Sequence, residues 1–172
     1  DPRDVCISWA KHSKTSLKQS CDFMINNNAY LGWADVKNYS GIPNDMPIHL
    51  SSWDSHVTYW VNEIKELPHL IIKYEDLVYN KVKVLNDIFE FFKQNYNIEI
   101  LNKDNKIKNI IETTNFNFMQ DQERLHGFNE SVGTQFFSIG KKEQWKKNLS
   151  NDITKKIENK FKNTMNKFNY EI

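Results

Sequence analysis

Two short stretches are the kind of helix-start and strand-end segments that hold a phosphorylated nucleotide. In Asp1-Pro2-Arg3-Asp4-Val5-Cys6-Ile7-Ser8-Trp9 an arginine and a serine follow a helix start, and in Leu70-Ile71-Ile72-Lys73-Tyr74-Glu75-Asp76-Leu77 a tyrosine and two carboxylates follow an apolar run. Helix starts present unpaired N–H groups to anions, and open α/β sheets bind ligands at the carboxyl ends of their strands. A third stretch, Gly140-Lys141-Lys142, offers a glycine and two ammonium groups but has neither the spacing nor the preceding strand of a Gly-x-x-x-x-Gly-Lys-Ser/Thr phosphate loop. No such loop occurs elsewhere in the chain. Arginine binds phosphate bidentately, so the scarcity of this residue matters: Arg3 and Arg124 are the whole supply.

Other chemistries find less support. His12, His49, His56, His69 and His126 have no metal-ligand spacing with Cys6 or Cys21, so no metal site is expected. Two cysteines make no disulfide framework, and both read as reduced, packed thiols. His56, flanked by Trp53 and Trp60, is placed as a general base could be. With 23 basic and 22 acidic residues the net charge is +1, too small a field to draw nucleic acid or an anionic membrane. No apolar window is long enough to span a bilayer and none reads as a signal peptide. The sequons at Asn38, Asn129 and Asn148 are what an asparagine-rich chain produces by chance.

The elements that must position these residues are mostly helical. Asp1 as cap, Pro2 in the first turn and Asp4 behind it start a helix at the first residue, and a chain opening on so complete a cap is expected to be cut in mid-fold. A second helix covers Leu17 to Ile25; Gly32 to Leu50 reads as a long loop. Trp53, Val57, Trp60, Val61 and Ile64 form one helical stripe that Pro68 closes. Leu70-Ile71-Ile72 is the one convincing strand, and Val82, Leu85, Ile88, Phe89 and Phe92 mark the helix after it. Ile107, Ile110 and Ile111 suggest a helix before Thr113-Thr114. Phe116 to Trp145 reads as irregular, and Ile153, Ile157, Phe161, Met165 and Phe168 define a last helix capped by Ser150 or Asn151. At 172 residues and 39% apolar content, a single domain spanning 1–172 is expected.

Taken in order, five segments resemble the cytosolic-type sulfotransferases, which move a sulfuryl group from 3′-phosphoadenosine 5′-phosphosulfate (PAPS) to a hydroxyl or amine. They are Pro2-Arg3-Asp4-Val5 to Ser8; Ser52-Trp53 through His56-Val57 and Trp60; Tyr74-Glu75-Asp76-Leu77; Thr114, Phe116 and Met119; and Phe136-Phe137 through Gly140 to Trp145. The resemblance covers the C-terminal two-thirds of that fold. It implies an α/β class, an incomplete P-loop-type fold in which helices flank a parallel sheet, helix-rich here with few strands, and lacking the N-terminal phosphate-loop portion.

It also implies roles. Ser8 corresponds to a serine on the 3′-phosphate of PAPS or its product PAP, with Arg3 beside it. Tyr74 corresponds to a tyrosine at the adenine end, and Thr114, Phe116 and Met119 border adenine, with Asn115 where a serine is usual. Phe136-Phe137-Ser138-Ile139-Gly140 resembles the loop that gives an arginine and a glycine to the 3′-phosphate, with Trp145 packing behind it. Ser138 stands in place of that arginine, so the charge is lost or passes to Lys141 or Lys142. No catalytic residue is assigned, because the family's histidine base and its lysine-bearing loop lie on upstream segments. The chain alone is therefore expected to turn over no substrate. The acceptor is expected to be a small molecule or glycan, the location cytoplasmic, and self-association is expected through exposed edges of the Leu70-Ile72 strand. A non-catalytic helical interaction module on a degenerate sulfotransferase scaffold is the alternative.

Overall fold

The computed structural model describes residues 1–31, 48–63, 66–129 and 135–172. They gather into two units, one from residues 1–65 with 144–172 and the other from residues 66–143.

In the first unit, helix α1 (Pro2–His12) starts where Asp1 caps it, the Arg3 N–H donating to the Asp1 carboxylate at 2.9 Å. Helix α2 (Leu17–Met24) opens on a reciprocal box: the Gln19 N–H donates to the Ser16 hydroxyl and the Ser16 N–H to the Gln19 side chain. Strands β1 (Tyr30–Leu31) and β2 (Ile48–His49) pair antiparallel, Tyr30 opposite His49. Helix α3 spans Trp53–Asn62, and α9 (Asn151–Lys167) is capped by the Ser150 hydroxyl. The core is Cys6, Cys21, Met24, Ile157, Phe161 and Met165, with Trp53 tilted against Phe161 at 5.2 Å. Ile157, Phe161 and Met165 recur on α9 every four positions, which is why α9 presents one apolar face. The buried Ser20 hydroxyl donates to the Cys6 carbonyl at 2.7 Å and so ties α2 to α1. Both cysteines are free thiols; burial pushes Cys6 up and Cys21 up to about 11.

The second unit holds α4 (Tyr74–Tyr79), α5 (Lys81–Tyr96), α6 (Lys103–Thr113) and α7 (Phe116–His126), with Val84, Leu85 and Ile107 buried. The short α8 (Trp145–Asn148) returns the chain to the first unit.

Four expectations need correction. Leu70-Ile71-Ile72 is not a strand: its backbone joins no ladder, and Ile71 is 49% exposed. An apolar run becomes a strand only where a neighbour takes its N–H and C=O groups, and among the described residues none does. The only pairing there is antiparallel, not the parallel sheet expected. The stretch Phe116 to Trp145 is not irregular throughout, since Asn115 caps a full helix at Phe116 with its side chain accepting from the Asn117 N–H. On α3, Trp60 turns outward at 57% exposure, so the stripe reduces to Trp53, Val57 and Val61. Ile64 and most of the loop from Gly32 to Leu50 lie outside the described residues. No described helix is long and apolar enough to cross a membrane, and no described cluster could hold a metal ion.

Candidate functional site

In the second unit, most of the candidate residues gather on or beside α7. Phe116 occupies its first position and Met119 lies half-buried one turn later. The segment Phe136–Gly140 has no helix or strand of its own and is held by two side chains of α7. The Gln120 amide donates to the Phe137 carbonyl at 2.7 Å and to the Ser138 carbonyl at 3.3 Å. The Glu123 carboxylate accepts the Phe136 N–H at 2.6 Å and the Phe137 N–H at 3.0 Å. Phe128, Phe136 and Phe137 fold onto one another with ring centres 4.8 to 5.2 Å apart, and Phe116 meets Phe137 edge-on at 6.4 Å.

Gly140 lies over the Phe116 ring with φ +61°, where a Cβ would fall inside the van der Waals envelope of the ring carbons. Two independent constraints, a left-handed backbone and a close approach, therefore require glycine. Among the described residues nothing bonds the Ser138 hydroxyl or the Gly140 N–H, and Lys141 is exposed. Lys142 sets its ammonium over the Tyr79 ring at 4.8 Å. An open amide at a left-handed glycine, a hydroxyl and neighbouring ammonium groups are the ingredients of a small anion cradle.

Thr114 is a fastening rather than an open ligand. Its hydroxyl donates to the Ile110 carbonyl at 2.6 Å, and the Lys81 ammonium bonds both its hydroxyl and its carbonyl, at 3.1 and 3.0 Å. A cation there also faces the negative end of α6. Tyr74, expected at the end of a strand, opens α4 instead and is 51% exposed.

In the first unit, Ser8 lies on the solvent side of α1, nearly two turns from its start. The N-terminal end itself is occupied, Asp1 taking the Arg3 N–H with its side chain and the Val5 N–H with its carbonyl. Arg3 is 2% exposed. Its guanidinium donates to Asp1 at 2.9 and 2.7 Å and to Glu158 at 2.6 Å, and stacks on the Trp145 ring at 3.8 Å. With its face and its donors engaged this way, Arg3 is a structural rivet between α1, α8 and α9. The Asp4 carboxylate accepts the backbone N–H of Trp145 at 2.9 Å, while the buried Trp145 Nε1 has no partner among the described residues.

Sequence reasoning missed Gln120, Glu123 and Lys81. Gln120 and Glu123 act on backbone carbonyls and N–H groups, and Lys81 reaches Thr114 across 33 positions, which leaves no local pairing pattern to read; only the Asn115 cap ahead of Phe116 and Met119 could have disclosed α7.

The model of a family described as the sulfotransferase domain matches residues 1–169. Sulfotransferase 1B1 of the dog, Canis lupus familiaris, is 36% identical over 70 residues, a stretch that takes in 41% of this chain and 22% of that protein. No solved structure matches. The five ordered segments and a family match over nearly the full chain lead to one conclusion: this chain belongs to the sulfotransferase domain family.

Proposed function

We propose that these residues hold the adenosine 3′,5′-bisphosphate part of PAPS for a sulfotransferase whose transfer machinery lies on other segments. In that reaction the acceptor oxygen or nitrogen bonds to sulfur as the bridging S–O bond breaks. The electron pair of that bond goes to the 5′-phosphate oxygen, and the acceptor proton goes to a base. Ser138, the Gly140 N–H and Lys141 take a phosphate oxygen, and Phe116, Met119 and Tyr74 the adenine side. Thr114 holds the border of that region through Lys81. Arg3 leaves the ligand set because its guanidinium is sealed. The acceptor is a small molecule or glycan bearing a hydroxyl or amine, and the setting is cytoplasmic, as in the family the chain resembles.

The observation that carries this reading is the Phe136–Gly140 segment, docked on α7 with Gly140 over Phe116 and its remaining polar atoms turned to no protein partner. Calorimetric titration tests it. Adenosine 3′,5′-bisphosphate should bind about tenfold or more tightly than adenosine 5′-monophosphate, the preference that one charge-assisted phosphate contact confers. Ser138 in the place of an arginine favours the second reading, a non-catalytic module, under which neither nucleotide gives heat. Purified chain that transfers sulfuryl groups by itself would contradict the division of labour.

A further inference from the structure

The Phe136–Gly140 segment runs antiparallel along α7 in a definite register. Phe136 lies at Glu123, Phe137 and Ser138 lie at Gln120, and Gly140 lies at Phe116. The helical distance from Phe116 to Glu123 is about 10.5 Å at the usual rise, and four extended residues reach about 13 Å at most. The two spans agree. Two side chains one turn apart thus satisfy four backbone groups of a segment that has no secondary structure to do so. Among the described residues the Ser138 hydroxyl, the Gly140 N–H and the Lys141 ammonium are left without a hydrogen-bond partner.

We propose that Gln120 and Glu123 are positioning residues, splinting this segment so that its outer polar groups distinguish a nucleotide bearing a 3′-phosphate from one without it. This rests on the proposed function for its ligand, but the splint itself does not. Neither residue touches the nucleotide in this arrangement. Glu123 fixes the amides of Phe136 and Phe137, and Gln120 fixes the carbonyls one and two residues before Ile139, so that Gly140 arrives against Phe116 with its N–H bonded to no described residue.

The experiment combines amide hydrogen exchange with nucleotide titration on the chain and on Glu123→Ala, Glu123→Gln, Gln120→Ala and Asp121→Ala. In Glu123→Ala the Phe136 and Phe137 amides should exchange about tenfold faster or more, while α7's own amides keep their protection. The preference for adenosine 3′,5′-bisphosphate over adenosine 5′-monophosphate should fall about tenfold, with monophosphate affinity unchanged. Glu123→Gln, which keeps one acceptor oxygen, should lie between; it also serves if Glu123→Ala fails to fold. Gln120→Ala should lower the preference, and Asp121→Ala, whose carboxylate meets Arg124 at the surface, should change nothing. Unchanged exchange in both Glu123 variants overturns the splint. Faster exchange with an intact nucleotide preference overturns the positioning role alone. Wild-type chain that shows no preference between the nucleotides overturns the proposed function and the positioning role together, while the exchange result still decides the splint.

Discussion

Two carboxylate-centred fastenings hold this molecule, one in each unit, and they are built for different ends. Around Arg3, two carboxylates and an indole enclose a guanidinium that is 2% exposed. Along α7, Glu123 grips two amides of a segment whose Ser138 hydroxyl and Gly140 N–H no described residue bonds. Enclosing a charge with its partners makes its loss costly but leaves nothing with which to bind. Satisfying only one side of a backbone segment stabilises less and leaves polar atoms for a ligand. An arginine in a family motif is thus no guarantee of a free guanidinium, whereas the segment that brings Gly140 against Phe116 keeps polar atoms that no described residue bonds.

The contrast breaks first at Arg3. Arg3→Ala strands two nearly buried carboxylates, and loss of one member of such a cluster costs about 3–5 kcal/mol. Urea denaturation of the first unit should show that loss, with amide exchange at Phe136 and Phe137 unaffected. Arg3→Lys should recover little, because an ammonium cannot make the fork or the stack. A stability change below about 1 kcal/mol would place Arg3 among ordinary surface ion pairs.

Gly140→Ala should come next, at about 1–3 kcal/mol, since the new methyl meets the Phe116 ring and the backbone is left-handed. Its signature is local: faster exchange from Phe136 to Gly140 and weaker bisphosphate binding, with the first unit's midpoint unchanged. Equal binding by wild type and variant would remove the glycine from the site.

The cysteines sharpen the picture of the first unit as sealed. Burial raises both thiols, Cys21 to about 11, above the value near 8.5 of an unfolded chain. For a group raised on folding, the contribution is complete below the unfolded value and is lost as pH rises towards the native one. Stability of the first unit should therefore decline from about pH 8.5 to pH 11, and native chain at pH 8 should resist iodoacetamide. Rapid alkylation of folded protein would mean the core is open. The smallest effect belongs to Lys81→Met, about 0.5–1 kcal/mol, because the exposed ammonium holding Thr114 is well screened.

How much the sequence disclosed follows from which groups do the work. Caps at Asp1 and Ser150 and the repeat Ile157, Phe161, Met165 were legible because side chain and backbone agree locally. The Leu70-Ile72 run misled because a strand depends on a partner that no local pattern supplies, and these residues stand exposed ahead of α4. Family membership implies an α/β class, yet the described residues are its helical part with two short strands. At the candidate site, Phe116 and Gly140 were legible as motif residues, and the structure brings them into contact. Gln120 and Glu123 were not, since they recognise backbone and leave no complementary side chain in the sequence.

Backbone amide shifts in a two-dimensional NMR titration with adenosine 3′,5′-bisphosphate test the central claim most directly. The account predicts the largest saturable shifts at Ser138, Gly140 and Lys141, with the amides of α1's sealed start at Arg3 unmoved. Shifts confined to other parts of the chain, or none at saturating nucleotide, would contradict it.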